Sequence, residues 1–139
     1  MTILKKLIIL LVYIIMLPII IYNLTLIIKS YINPTKIPDF LGFKSFVIIS
    51  ESMEPTIMVG DAILVKEVKE EKLKVNDIIS FQDEDFINTH RIVEIVDDNG
   101  VTKYRTKGDH NGKEDKNLVT YERIQGVYQF RIKRVWENN

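Results

Sequence analysis

Ser50-Glu51-Ser52-Met53-Glu54-Pro55-Thr56 sets two hydroxyls one residue apart at the end of the apolar run Phe46–Ile49. A serine hydroxyl is a weak nucleophile at its own pKa and becomes reactive only beside a base and a group that stabilises the developing oxyanion. Two hydroxyls ending a strand ahead of a proline-stiffened turn would be the bland use of the same string. The chain holds two histidines, His90 and His110, so imidazole bases are few. His90 lies in the apolar run Ile87–Val96, where alternation puts Asn88, His90 and Ile92 on one face and Thr89, Arg91 and Val93 on the other. His110 lies in the glycine-flanked stretch Gly108–Asp115, which carries carboxylates at Asp109 and Asp115. A calcium loop is excluded there, because the twelve-residue ligand pattern with its terminal bidentate Glu is missing. Orienting an imidazole is the better use of that loop.

Composition narrows the chemistry further. With no cysteine, neither a disulfide framework nor a thiolate nucleophile or metal site is available, and no metal or cofactor is expected. Residues 1–45 hold five Lys and one Asp, so residues 46–139 carry 14 Lys/Arg against 18 Asp/Glu, a net of 14 − 18 = −4. A nucleic-acid partner would need the opposite sign. At 139 residues there is room for one small domain and an anchor.

The elements that must position these groups fall into three parts: residues 1–29 as a cytoplasmic stub and transmembrane anchor, 30–45 as a connector, and 46–139 as the remaining domain. Leu7–Ile28 carries no charge and, as a helix, spans about 33 Å at roughly 1.5 Å per residue, enough to cross a bilayer. Pro18 inside it is tolerated as a kink. A cleavable leader needs small residues at its cleavage site, and the only alanine in the chain is Ala62, so a permanent anchor is expected. No second apolar span occurs before Trp136-Glu137-Asn138-Asn139, so the anchor is expected to be single-pass. Lys5 and Lys6 before the span and Lys29 after it favour a cytoplasmic N-terminus, with the domain on the outer face of the cell membrane. Asn33-Pro34, Ile37-Pro38 and Gly42 break the connector. Beyond Ser52 the pattern is mainly β. Ala62–Lys66, Asp77–Phe81, Ile87–Val96, Thr102–Thr106 and Arg123–Ile132 read as short antiparallel strands of a small closed or sandwiched sheet. Asp98-Asn99-Gly100 is a hairpin turn signal, and Lys66–Lys74 reads as a solvated loop or helical turn.

Taken together, these motifs resemble type I signal peptidases of the endoplasmic-reticulum and archaeal type, which some Gram-positive, spore-forming bacteria also carry. The resemblance rests on Phe46 to Thr56, Val59-Gly60-Asp61, Asn76 to Phe81, Thr89-His90-Arg91-Ile92, Thr106-Lys107-Gly108-Asp109 with Asn111 and Asp115, and Ile124-Gln125-Gly126. It implies a barrel-like β domain with Ser52 as nucleophile, His90 as general base where the common bacterial branch has lysine, and Asp115 or, second, Asp109 as the orienting acid. It also implies an oxyanion hole from the Ser52 backbone N–H and the Ser50 hydroxyl. The implied partners are preprotein signal peptides and the lipid bilayer; accessory subunits stay unassigned. Glu51 stands where the family usually has Gly, and His110 and Gly112 where it has a small residue and Asn; His110 is therefore a second, weaker base candidate. Two other readings stand beside this one. Self-cleaving repressors of the same clan use lysine and carry a DNA-binding domain, which the anchor replaces here. A catalytically inactive, membrane-tethered binding module of the same fold would have no need for Ser52, His90 and Asp115 together.

Overall fold

Apolar residues at almost every position from Leu7 to Ile28 leave nothing to interrupt a helix except Pro18, and the chain forms one helix straight through it. This is α1, Ile3–Ile32, 30 residues and so roughly 45 Å long. The computed structural model describes residues 1–33, 37 and 39–134. Pro34, Pro38 and the Trp136–Asn139 tail lie outside the described residues. The chain divides into two units, Met1–Leu41 and Gly42–Asn139. In the first, α1 buries no side chain and is long and apolar enough to cross a membrane. Two of its polar side chains are satisfied within the helix: Asn23 Nδ2 donates to the Ile19 carbonyl and Thr25 Oγ1 to that of Ile21, both at 2.8 Å. The helix runs past the charge-free stretch at both ends, taking in Lys5, Lys6 and Lys29, whose long stems suit a helix and whose charges sit near its termini.

The second unit is an antiparallel sheet of seven strands. They are β1 (Phe43–Val47), β2 (Ala62–Lys66), β3 (Ile78–Asp83), β4 (Phe86–Asp98), β5 (Val101–Lys107), β6 (Val119–Thr120) and β7 (Ile124–Ile132). Their order across the sheet is β1-β2-β7-β3-β4-β5-β6, with β1 and β6 at the two ends. Alternation along β3 sends neighbouring side chains to opposite faces, so Ile78 and Ile79 enter different cores. One core gathers Ile48, Met53, Ile57, Ile63, Val65 and Ile78; the other gathers Leu73, Ile79, Phe81, Ile92, Tyr104 and Val119.

The five expected strands are present, and the differences are instructive. β3 and β4 extend to a tight turn at Glu84-Asp85, with Asp83 opposite Phe86 and Glu84 at φ +53°. Two acidic residues give no Gly or Asn signal for such a turn. At the far end of β4, Asp98 faces Val101, and Asn99 and Gly100 both take positive φ (56° and 82°), as a two-residue hairpin turn requires. β1 and β6 were not among the expected strands: β1 is a half-exposed edge strand with a lysine in it, and β6 has 2 residues. The charge-rich Lys66–Lys74 stretch is an exposed 3-10 turn at Glu70–Lys72 followed by buried Leu73.

Candidate active site

Ser52 is held by the feet of its loop. Met53 and Ile57 are buried in the first core, and the Ile57 N–H bonds the Met53 carbonyl at 3.0 Å, so the chain turns sharply and lifts Ser50 and Ser52 away from the core. Glu51–Met53 forms a 3-10 turn, where strand alternation would also have put Ser50 and Ser52 on one face. Core anchoring at 53 and 57 follows the spacing of a turn, which overrides alternation. The outcome for the side chains is nonetheless a pair: Ser50 Oγ and Ser52 Oγ are 3.1 Å apart, Glu51 is exposed, and Ser52 is half-buried.

That turn packs against β4, the strand that carries His90. His90 is only 4% exposed, pairs with Ile79 of β3, and has the Phe81 ring edge-on beside it. Its Nδ1 contacts Asp115 Oδ2 at 2.6 Å. A carboxylate on Nδ1 fixes the proton there and leaves the lone pair on Nε2, the state a general base requires. Asp115 reaches this place because its N–H bonds the Thr106 carbonyl at 2.8 Å, bracing the loop on the end of β5.

The loop that carries Asp115 also grips the Ser52 backbone. The His110 N–H donates to the Ser52 carbonyl at 2.9 Å, and the Asp109 N–H approaches Met53 Sδ at 3.4 Å. A Cβ on Gly108 would stand 2.5 Å from the Ser52 carbonyl oxygen and 2.7 Å from Asn111 Nδ2. The glycine is what allows the two loops to touch. Gly108→Ala is therefore expected to displace the Ser52 backbone and lower turnover by about 100-fold, the scale set by a 1 Å misplacement, while far-ultraviolet circular dichroism still reports the sheet.

A family model described as signal peptidase, peptidase S26, matches residues 4–119. The chain belongs to this family. It is similar to Signal peptidase I W of Bacillus subtilis (strain 168), 37% identical over 107 residues, 76% of this chain and 56% of that protein. It is also similar to the signal peptidase complex catalytic subunit SEC11C of Homo sapiens and of Canis lupus familiaris, each 35% identical over 75 residues, 52% of this chain and 39% of theirs. This signal peptidase family member thus spans less than two thirds of the length of each of these relatives.

The other acid of the loop has different company. Asp109 takes Arg91 in a two-pronged contact, Nε to Oδ1 at 2.9 Å and Nη2 to Oδ2 at 2.8 Å, and accepts the Thr56 hydroxyl at 2.6 Å. Because Arg91 follows His90 on β4, its side chain leaves on the opposite face and Asp109 is drawn there with it. The structure thus brings Asp115 to His90 and Asp109 to Arg91 and the Ser52 loop. The His110 side chain is exposed, and its backbone is what touches Ser52. Sequence reasoning assigned no role to Arg91, Thr56 or Asp61. Asp61 is 2% exposed, accepts Met58 N–H (2.9 Å), Arg131 Nη1 (2.8 Å) and Arg134 N–H (3.3 Å), and its carbonyl bonds Ile48 N–H. A charged residue between Gly60 and a strand is an ordinary turn signal, so only its burial marks it as the clasp of the Ile48–Asp61 loop.

These contacts carry a pH dependence. The Arg91 guanidinium, helped by the Thr56 hydroxyl, holds the Asp109 carboxyl below its ordinary 3.8 against burial. For Asp61, burial raises the carboxyl, but the Met58 and Arg134 N–H groups and Arg131 outweigh it, and the net shift is downward from 3.8. A depressed carboxylate binds fewer protons folded than unfolded, so each contributes stability fully above 3.8 and loses it as pH falls through the lowered value. Thermal melts of the detergent-solubilised chain should be flat near neutrality and drop below about pH 4, with a shallower drop in Asp109→Asn than in the parent.

Proposed function

We propose that this chain is a membrane-anchored serine endopeptidase that removes N-terminal signal peptides from secreted preproteins, with Ser52 as nucleophile, His90 as general base and Asp115 as the carboxylate that orients it. The observation that carries the reading is the 2.6 Å contact between Asp115 and Nδ1 of His90, which is buried on the strand against which the Ser52 turn packs. Membership of the signal peptidase family supports the choice of substrate.

The steps follow from these atoms. Nε2 of His90 takes the Ser52 proton as Oγ attacks the scissile carbonyl carbon, and the Ser52 N–H and Ser50 hydroxyl hold the oxyanion. The imidazolium, stabilised by Asp115, gives its proton to the departing amine as the C–N bond breaks. Water then hydrolyses the acyl ester with His90 again as base. The substrate lies extended beside β1, the strand that ends the sheet, where an added strand finds main-chain partners. Val47 and Ile49, both exposed, give the approach to Ser50 an apolar lining.

In this reading α1 crosses the cell membrane with a cytoplasmic N-terminus, and residues 46–139 act on its outer face, where signal peptides emerge. The test is cleavage by the detergent-solubilised full chain of a panel of signal-peptide substrates, with products identified by mass. Single cuts after small residues are the expected result. Substrates bound but left intact across the panel would sink the peptidase reading and leave an inactive binding module.

A further inference from the structure

Asp115 Oδ2 accepts two hydrogen bonds, one from His90 Nδ1 and a second from the Thr106 hydroxyl, each 2.6 Å long. Thr106 is 0% exposed, in the core-facing register of β5 shared with Tyr104, and pairs with Ile92 on the face that holds His90. A buried hydroxyl needs a hydrogen-bond partner, and the Asp115 carboxylate is the one it uses. We propose that Thr106 is a positioning residue of the site: by donating to the same oxygen as His90, it fixes the Asp115 carboxylate and sets how strongly that carboxylate draws a proton onto the imidazole. This deepens the peptidase reading and rests on it for its catalytic consequence.

The direction follows from charge. A hydroxyl hydrogen bond withdraws negative charge from Oδ2 and favours the ionised acid. In Thr106→Val that charge is returned to the His90 contact, while the Asp115 N–H bond to the residue 106 carbonyl still holds the loop. The imidazolium gains, and the acid limb of the pH–rate profile moves to higher pH. The surrounding charges stay as they are. Thr106 and Asp115 themselves line a cavity of about 190 Å³ together with Asp83, Arg123 and Lys116, and Asp83 and Arg123 pair with each other at 3.3 Å. Arg91, next to His90, is held by Asp109, and Glu114, next to Asp115, lies 3.6 Å from Arg105.

The experiment is the pH profile of kcat/KM for the full chain, its Thr106→Val and Thr106→Ser variants, and the ¹H–¹⁵N titration of the His90 ring in detergent, assigned by its loss in His90→Ala. Thr106→Val should shift both the acid limb and the ring titration upward by about half a pH unit, one net hydrogen bond shared between two partners. Below the limb this is about a threefold loss of kcat/KM, with near-parental rates on the alkaline plateau. Thr106→Ser should restore the parental curve. A loss equal at every pH and tracking a lowered Tm would overturn the inference in favour of packing alone, and so would a downward shift. If Thr106→Val does not fold, Thr106→Ala gives the same reading. The ring titration separates the two claims: a chain that cuts no substrate but shows the shift loses the peptidase reading and keeps this one.

Discussion

Ser52→Ala is expected to reduce cleavage of signal-peptide substrates to background, a loss on the order of 10⁴-fold or more, because it removes the oxygen proposed to attack. The fold should not notice. Ser52 is half-buried, its turn is held by Met53 and Ile57 in the core, and its carbonyl keeps the bond from His110. A surface-type change of this kind moves stability by no more than about 0.5 kcal/mol, so thermal melts of the two proteins should coincide. The measurement is single-turnover cleavage beside those melts. Parent-like turnover by the variant would remove Ser52 from the chemistry, and a collapsed melt would make its inactivity uninformative.

Asp115→Asn should be almost as damaging, by about 10³- to 10⁴-fold in kcat, for a reason that lies in the imidazole. An amide can turn its NH₂ group toward Nδ1, which then accepts; the proton moves to Nε2, where it can no longer take one from Ser52. Asp109→Asn does not touch the ring. It weakens the Arg91 and Thr56 contacts, so it should cost stability and leave kcat within about tenfold of the parent. Comparing the two variants in one assay separates the roles of the loop's acids: equal losses would place Asp109 in the chemistry beside Asp115, and a larger loss in Asp109→Asn would reverse them.

Much of the fold could be read from the chain because its signals are local. An uninterrupted apolar stretch makes α1, and alternation with Asn-Gly at a two-residue turn makes the β4–β5 hairpin. β1 and β6 escaped because an edge strand with a lysine in it, and a strand of 2 residues, are defined by their partners and not by their composition. At the site, residue type and order nominated Ser52, His90 and an acidic loop. Spacing could not decide between Asp109 and Asp115, since both are a loop's reach from β5; the choice of partner is made by Arg91, which leaves β4 on the face opposite His90. Thr106 had a signal available, a hydroxyl at a core-facing register position in a strand. Reading that signal needs the knowledge of which face is the core, which only the packed sheet supplies.

The buried clasp at Asp61 has a consequence for how the molecule breathes. Ile48 is bonded by both Gly60 and Asp61, and the Asp61 carboxylate holds Arg131 of β7, so the segment bearing both serines is a closed loop tied at its base to a central strand. Such a segment opens as one cooperative unit or not at all. The amides of Ile48 and Gly60, bonded across the base of that loop, should then exchange with solvent together, at the rate at which the clasp lets go.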